Sequence, residues 1–246
     1  MRKLKLFHSL IAYFATKSSR RETPLFPASQ ALSTPPQGPP RAADNWVALL
    51  QICLVCAVVS YLCGSLLYPG GSYHDRRALG YDHVHNYLCD LWATRPHGHN
   101  QNPARPLGIA TVCFLSASLA PLSLIIRNLI TSPRAQAVPL LLMAGTLSGA
   151  LVFTPLHDLA IEVGFIPTTV GFLLSLFALG QSGYLRLAWL GLWPLCAGSL
   201  NFTLWIMGWA LFAAPVVQKL ALLGLTVWAL LIGWVSRTLG QDAGRP

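Results

Sequence analysis

Blocks of about 20 consecutive, mostly apolar residues recur along this chain, and they constrain its fold more than any other feature. A helix of that length crosses the hydrocarbon core of a bilayer. Charged residues make up 10% of the sequence, whereas soluble domains carry about 25%. So few charges cannot cover a globular surface, which argues against an ordinary cytosolic enzyme. The sequence predicts an all-α, multipass membrane protein.

The apolar blocks divide the chain into three parts. Residues 1–45 form a basic segment followed by a proline-rich linker, residues 46–236 a six-helix transmembrane bundle, and residues 237–246 a short tail. The expected spans are 46–68, 107–130, 138–153, 165–181, 187–207 and 215–235. Within the third span, Gly145-x-x-x-Gly149 predicts a close contact with a neighbouring helix.

The first 21 residues contain no acidic side chain and place apolar residues at helical spacing, at Leu4, Phe7, Ile11 and Phe14. This pattern predicts a short amphipathic helix on the membrane surface. A cleaved signal peptide and an organellar transit peptide are the alternatives. Six prolines between residues 24 and 40 predict an extended linker.

Basic residues are distributed unevenly between the two sides of the predicted bundle. With a cytoplasmic N-terminus, twelve Lys and Arg lie on the cytoplasmic side and five on the other. The positive-inside rule therefore predicts that both termini are cytoplasmic, with the plasma (inner) membrane as the expected location. The net charge of +9 then indicates attraction to membrane lipids and not to nucleic acid. The sequence leaves protein partners open.

Histidines and carboxylates gather on the opposite, non-cytoplasmic side. His83, His85 and Asp90 follow the first span, and His157, Asp158 and Glu162 follow the third. Imidazole and carboxylate are the ligands of zinc in hydrolytic sites, where an open position activates water. The candidate metal ligands are His83, His85, His157, Asp158 and Glu162, and the candidate catalytic residues are His157, Asp158 and Asp90. The cofactor stays open, with a divalent metal such as zinc as the candidate.

Local patterns predict how these residues are arranged. A helix capped by Asp82 would place Asn86 and Asp90 four residues apart on one face, and Thr154-Pro155 is typical of a helix start. The two connections are expected to fold together and to bring His83 or His85 and Asp90 near His157 and Asp158, because unpaired charges beside hydrocarbon are costly. His97 and His99, in a stretch rich in Pro, Gly and Asn, are expected to be solvated.

The run Asn86-x-x-Cys89-Asp90-Leu91, followed later by His157, resembles the membrane proteins filed as domain of unknown function 998. The resemblance covers about residues 46–236 and implies a six-helix bundle with a shared polar face outside the membrane. That family has serine where this chain has Cys89 and glycine where it has Trp92. The resemblance implies no reaction.

Two functions remain open from the sequence. The first is a non-enzymatic membrane protein whose polar cluster is structural or binds a lipid or a partner. The alternative is a membrane-embedded, metal-dependent hydrolase acting on a lipid or lipid-linked substrate. A transporter is less favoured, because no acidic residue lies in the middle of a span and no inverted repeat is evident. Whether the protein is an enzyme stays open.

Overall fold

A computed structural model describes residues 40–97, 101–133, 135–149, 151–207 and 213–243 of this chain, with side chains described between residues 44 and 239. The predicted amphipathic helix and most of the predicted linker lie outside the described residues, as does His99.

The described chain is all-helical and contains no β-strand. Its α-helices are α1 (Pro40–Leu67), α2 (Arg105–Leu129), α3 (Met143–Gly149), α4 (His157–Gln181), α5 (Leu185–Ile206) and α6 (Ala214–Ala243). Two 3₁₀ helices, Leu88–Trp92 and Ala135–Leu142, precede α2 and α3 respectively. Helix α1 begins five residues before the predicted end of the linker, and α6 continues through most of the predicted tail.

Five of these helices, α1, α2, α4, α5 and α6, are long and apolar enough to cross a membrane. The expectation of a sixth continuous helix over 138–153 is not confirmed. That part of the chain is the 3₁₀ helix Ala135–Leu142 followed directly by the short α3. Pro139 lies inside the 3₁₀ helix, where it lacks an N–H for an α-helical hydrogen bond and its ring clashes with the preceding turn.

Small residues bring this broken segment close to α2 and α4. A Cβ atom added at Gly149 would lie 2.4 Å from Cβ of Ser116 on α2. Thr146 Oγ1 donates a 2.9 Å hydrogen bond to the carbonyl oxygen of Ser116. Added Cβ atoms at Gly145 and Gly164 would also meet a neighbouring side chain within 3 Å. The close contact predicted from the two glycines of the third apolar block is therefore confirmed.

The main apolar core lies where α1, α2, α4 and α6 meet, and it includes Leu50, Ile125, Leu179, Trp228 and Ile232. The Trp228 indole N–H donates to the carbonyl oxygen of Leu187 at 2.8 Å, which ties α6 to the start of α5. Many large apolar side chains point outward from the helices. A bundle with an apolar core and an apolar outer surface is the arrangement expected of an integral membrane protein.

A second apolar cluster covers one end of the bundle. We call residues 69–97, which connect α1 to the approach of α2, the cap. Leu88, Leu91 and Trp92 of the cap pack with Tyr68 and Val112. A Cβ added at Gly108 would lie 2.6 Å from the carbonyl carbon of Leu91. Glycine at this position lets the cap backbone rest directly on the first turn of α2.

Candidate functional site

The centre of the polar site is the side chain of Asn86, which is fully buried in the cap. Its Nδ2 donates to the Gly71 carbonyl oxygen at 2.8 Å and to Asp90 Oδ2 at 2.9 Å. Its Oδ1 accepts from the backbone N–H of Asp82 at 2.9 Å. One amide thus joins three separate parts of the cap, and all of its contacts are of the kind that a buried amide requires.

Asp90 is the buried carboxylate of this site, with 9% of its surface exposed. Besides Asn86, its Oδ2 accepts from the Tyr87 backbone N–H at 2.9 Å, and its Oδ1 lies 3.7 Å from His97 Nε2. Burial raises the pKa of Asp90 above its ordinary value, and the hydrogen bond from Asn86 and the nearby His97 partly offset that rise. The expectation that His97 is solvated is therefore wrong, because the cap folds its imidazole towards a carboxylate.

Asp82 organises the turn before Asn86. Its Oδ1 accepts from the backbone N–H groups of Val84 at 2.8 Å and His85 at 3.3 Å, and its Oδ2 lies 2.7 Å from His85 Nδ1. The hydrogen bond with His85 is the main cause that lowers the pKa of Asp82. The predicted capping role of Asp82 is confirmed, but it caps a single turn. The 3₁₀ helix at Leu88–Trp92 then brings Asp90 to Asn86.

Two consecutive residues of α6 hold the cap, and the sequence analysis did not single them out. Lys219 Nζ donates to the Asn86 carbonyl oxygen at 2.5 Å and to the Pro215 carbonyl oxygen at 3.2 Å. It also lies 5.6 Å from the centre of the Tyr81 ring, within cation–π range. Gln218 Oε1 accepts from the Leu88 backbone N–H at 2.8 Å. The available signal was that Lys219 is the one charged residue between Arg186 and Arg237, inside a predicted span.

Asn102 ends the 3₁₀ helix of the cap, and it too was missed. Its Nδ2 lies within hydrogen-bond distance of the carbonyl oxygens of Asp90, Leu91 and Ala93, at 2.9 to 3.2 Å. Its Oδ1 accepts from the Ala104 N–H at 3.1 Å. Asparagine is common in loops and can form several kinds of local hydrogen bond, so the sequence carried no specific signal for this contact.

The candidate metal ligands of the cap lie in separate contacts. His83 Nδ1 is 2.8 Å from the hydroxyl group of Tyr61 on α1, while His85 is paired with Asp82. In the second group, His157 Nδ1 lies 2.5 Å from the Val152 carbonyl oxygen. Asp158 and Glu162 are exposed in the first turns of α4.

The two connections nevertheless meet, as the sequence predicts, but they meet through Trp92 and His157, whereas His83 contacts Tyr61 and His85 pairs with Asp82. The rings of Trp92 and His157 lie 6.3 Å apart, and Val152 and Phe153 pack against the apolar cluster of the cap. Among the described residues, no three His, Cys, Asp or Glu side chains are placed to hold a metal ion. The zinc-binding set and the catalytic roles of His157, Asp158 and Asp90 stay predictions.

The thiol of Cys89, next to Asp90, offers no alternative nucleophile. Desolvation, with a smaller contribution from the Asp90 charge, raises the pKa of Cys89 to about 12. A thiol with that pKa stays protonated at neutral pH, and the thiolate is the reactive form.

Comparison of the chain with family models, with curated proteins and with solved structures gives no match.

Proposed function

We propose that this protein is a six-pass integral membrane protein whose cap closes the non-cytoplasmic end of the bundle, and that its polar cluster is structural. The observation that carries the proposal is the set of contacts from α6 to the cap. Gln218 and Lys219 bind the cap backbone on either side of Tyr87. Within the cap, the Asn86 side chain donates a hydrogen bond to the Asp90 carboxylate. A buried polar network of this kind fixes one conformation of the segment that contains it.

Contacts at the two ends of the bundle support the proposal of six passes. At one end, the Thr131 backbone N–H donates to Ser182 Oγ at 3.1 Å. At the other end, Trp92 contacts His157. The broken segment connects Thr131 to His157, and therefore runs from the first end to the second. Its eight 3₁₀ and seven α-helical residues span about 26 Å, close to the ~30 Å of a hydrocarbon core.

The proposed orientation rests on charge, while exposed aromatic residues support an interface at one level of the bundle. The excess of basic residues favours cytoplasmic termini. Trp46 and Trp189 are exposed near the first residues of α1 and α5, at the end of the bundle where α1 begins. Trp234 is exposed at the same level, because Gly233 packs against Val47. Exposed tryptophans at one level are typical of the membrane–water interface.

Among the described residues, no contact favours the hydrolase over the structural role. Asp90 is engaged with Asn86, the candidate ligands are separated, and the thiol of Cys89 is protonated. Membership of the family filed as domain of unknown function 998 also stays a proposal. Of the residues that carry that resemblance, Asn86, Cys89, Asp90 and Leu91 lie in the cap, and His157 is the first residue of α4.

Cysteine accessibility tests the six-pass arrangement. Single cysteines at Thr94, in the cap, and at Gln181, at the end of α4, are introduced into a cysteine-free background; both native residues are exposed. Three passes separate them in the proposed bundle, and only two if the broken segment does not cross. A membrane-impermeant thiol reagent added to intact cells should label Thr94→Cys alone, and should label Gln181→Cys only after permeabilisation. Labelling of both positions from outside would refute the proposal.

A further inference from the structure

Three large apolar side chains of the cap are exposed, although they do not belong to any membrane-spanning helix. Leu79 is 94% exposed, Tyr73 is 60% exposed and Val84 is 50% exposed. They lie within one stretch of the cap, residues 73–84, which we call the tip. In a segment surrounded by water, their apolar surface would stay hydrated, which is unfavourable. Their position relative to the helix ends bears on whether lipid could cover them.

The second part of the tip lies beside the last turns of α1. His83 contacts the hydroxyl group of Tyr61, which is six residues before the end of α1 and therefore about 9 Å below it. On the opposite side, the Asn86 carbonyl oxygen contacts Lys219 Nζ, which also donates to the Pro215 carbonyl oxygen and therefore lies at the first turn of α6. Val84 directly follows His83 and is thus held beside the last turns of α1.

Leu79 is held next to the end of α1 by the backbone. Gly70, three residues after the end of α1, forms an antiparallel bridge with Leu79, and the Gly71 N–H donates to the Ala78 carbonyl oxygen at 2.8 Å. Paired Cα atoms of such a bridge lie about 5 Å apart. Gly70 has a φ of 126°, and a Cβ there would lie 2.2 Å from the Ala78 oxygen. Only glycine allows the tip to approach the end of α1 so closely.

Two arginines accompany these apolar side chains, while the two carboxylates of the tip are engaged locally, Asp75 with a backbone N–H and Asp82 with backbone N–H groups and His85. Arg76 and Arg77 are exposed in the same tip. Neither guanidinium forms an ion pair with a carboxylate in the part of the chain that the structure describes. The nearby Asp75 carboxylate instead accepts from the Arg77 backbone N–H at 2.8 Å. Exposed apolar side chains next to unpaired arginines are complementary to a phospholipid surface, with acyl chains below and phosphate groups above.

We propose that the tip is a membrane-interface anchor that binds anionic phospholipids of the leaflet on the cap side. Leu79 and Val84 enter the boundary between acyl chains and headgroups, and Arg76 and Arg77 bind lipid phosphates. This inference rests on the membrane placement proposed above, and it assigns a ligand class to the cap. The lipid holds the outer face of the cap, while α6 holds the inner face.

Local fluorescence quenching tests the anchor. Bimane is attached to Leu79→Cys or Val84→Cys in a cysteine-free background, and the protein is reconstituted in phosphatidylcholine with or without phosphatidylglycerol. Thr94→Cys serves as the exposed cap position outside the tip, and Leu173→Cys as the outward position in the middle of α4. Brominated lipid should quench bimane at 79, 84 and 173, whereas aqueous iodide should quench it most strongly at 94.

The double variant Arg76→Gln/Arg77→Gln tests the charge contribution at position 79. One basic residue near an anionic surface changes binding about fivefold, so the double variant should require roughly 30-fold more brominated phosphatidylglycerol for half-quenching. Quenching by brominated phosphatidylcholine should not change. Arg95→Gln, which removes an exposed arginine outside the tip, is the matched control and should leave both curves in place.

Three other outcomes of these quenching experiments would each overturn one part of the proposal. Iodide quenching at 79 and 84 as strong as at 94, with lipid quenching kept at 173, would overturn the anchor and leave the six-pass proposal intact. Iodide quenching at 173 would overturn the membrane placement itself. If the double variant lost quenching by brominated phosphatidylglycerol and by brominated phosphatidylcholine equally, the preference for anionic headgroups would be overturned.

Discussion

Replacement of Asn86 by alanine should destabilise the cap more than any other single truncation in the polar site. The side chain is fully buried, and its loss removes three hydrogen bonds at once, to Gly71, Asp90 and Asp82. Two of these partners keep another contact: the Gly71 oxygen accepts from the Tyr68 hydroxyl at 3.2 Å, and Asp90 accepts from the Tyr87 N–H. The Asp82 N–H loses the partner that the structure gives it.

The magnitude follows from the nature of each bond. A hydrogen bond to a charged group contributes about 1.5–3 kcal/mol and a neutral one about 1 kcal/mol. One charged and two neutral bonds therefore give a loss of about 4 kcal/mol. For a domain of 150–250 residues, 1 kcal/mol corresponds to about 2–4 °C in Tm. Asn86→Ala should thus lower Tm by about 8–16 °C if the cap and the bundle unfold together.

Thermal unfolding of the purified protein in detergent, followed by the fluorescence of a thiol-reactive dye that reports buried cysteines, measures this shift. Asn201→Ala is the matched control, because the Asn201 side-chain oxygen on α5 has no hydrogen-bond partner among the described residues. It should change Tm by no more than a few degrees. An Asn86→Ala protein with the Tm of the wild type would refute the view that the buried amide stabilises the cap.

Three further predictions concern the polar site and the packing of the broken segment. Burial raises the pKa of Asp90, so the folded state favours the protonated carboxyl group. The contribution of this protonated group to stability is therefore present below the ordinary pKa of about 3.9, and it is lost as the pH rises through the raised pKa. Asp90→Asn keeps an oxygen that can accept from Asn86 and Tyr87, so its Tm should match the wild type near pH 4 and equal or exceed it at pH 7; a deficit that grows with pH would contradict this. Lys219→Met should lower the free energy of unfolding by about 2–3 kcal/mol and speed deuterium uptake at the cap amides 86–88, and unchanged exchange would show that α6 does not hold the cap. Gly149→Ala should destabilise by about 1–3 kcal/mol through overpacking against Ser116, whereas Gly198→Ala, which has open space around its Cβ position, should be neutral or stabilising in the same Tm assay.

Local rules predicted the first half of the polar site. Asp82 is a short carboxylate next to free backbone N–H groups, and its capping geometry depends only on the following three residues. The four-residue spacing also placed Asn86 and Asp90 on one side, although through an α-helix; in the structure an extended Tyr87 and the 3₁₀ helix Leu88–Trp92 bring them together instead. Interactions within about one turn of chain can be inferred from spacing alone.

The contacts made by distant residues could not be inferred in this way. Lys219 lies 133 residues from Asn86 in the chain, and Trp92 meets His157 only because two connections cover the same end of the bundle. His97 approaches Asp90 because Gly71, with a φ of 82°, allows the His97 backbone to pass close to it. These arrangements depend on how helices pack, which residue spacing does not encode.

The sequence by itself determined that this chain is helical and apolar enough to cross a membrane, because the length and hydrophobicity of each block are local properties that a bilayer selects directly. The tertiary structure decided that the third apolar block is a broken segment, since Pro139 and the close approach of Gly145 and Gly149 to neighbouring helices act together. It also decided which polar groups pair, since the cost of burying a charge depends on the partners that packing brings within hydrogen-bond distance. The histidines and carboxylates were visible in the sequence, but only the packing of the cap against α2 and α6 separated them into distinct contacts.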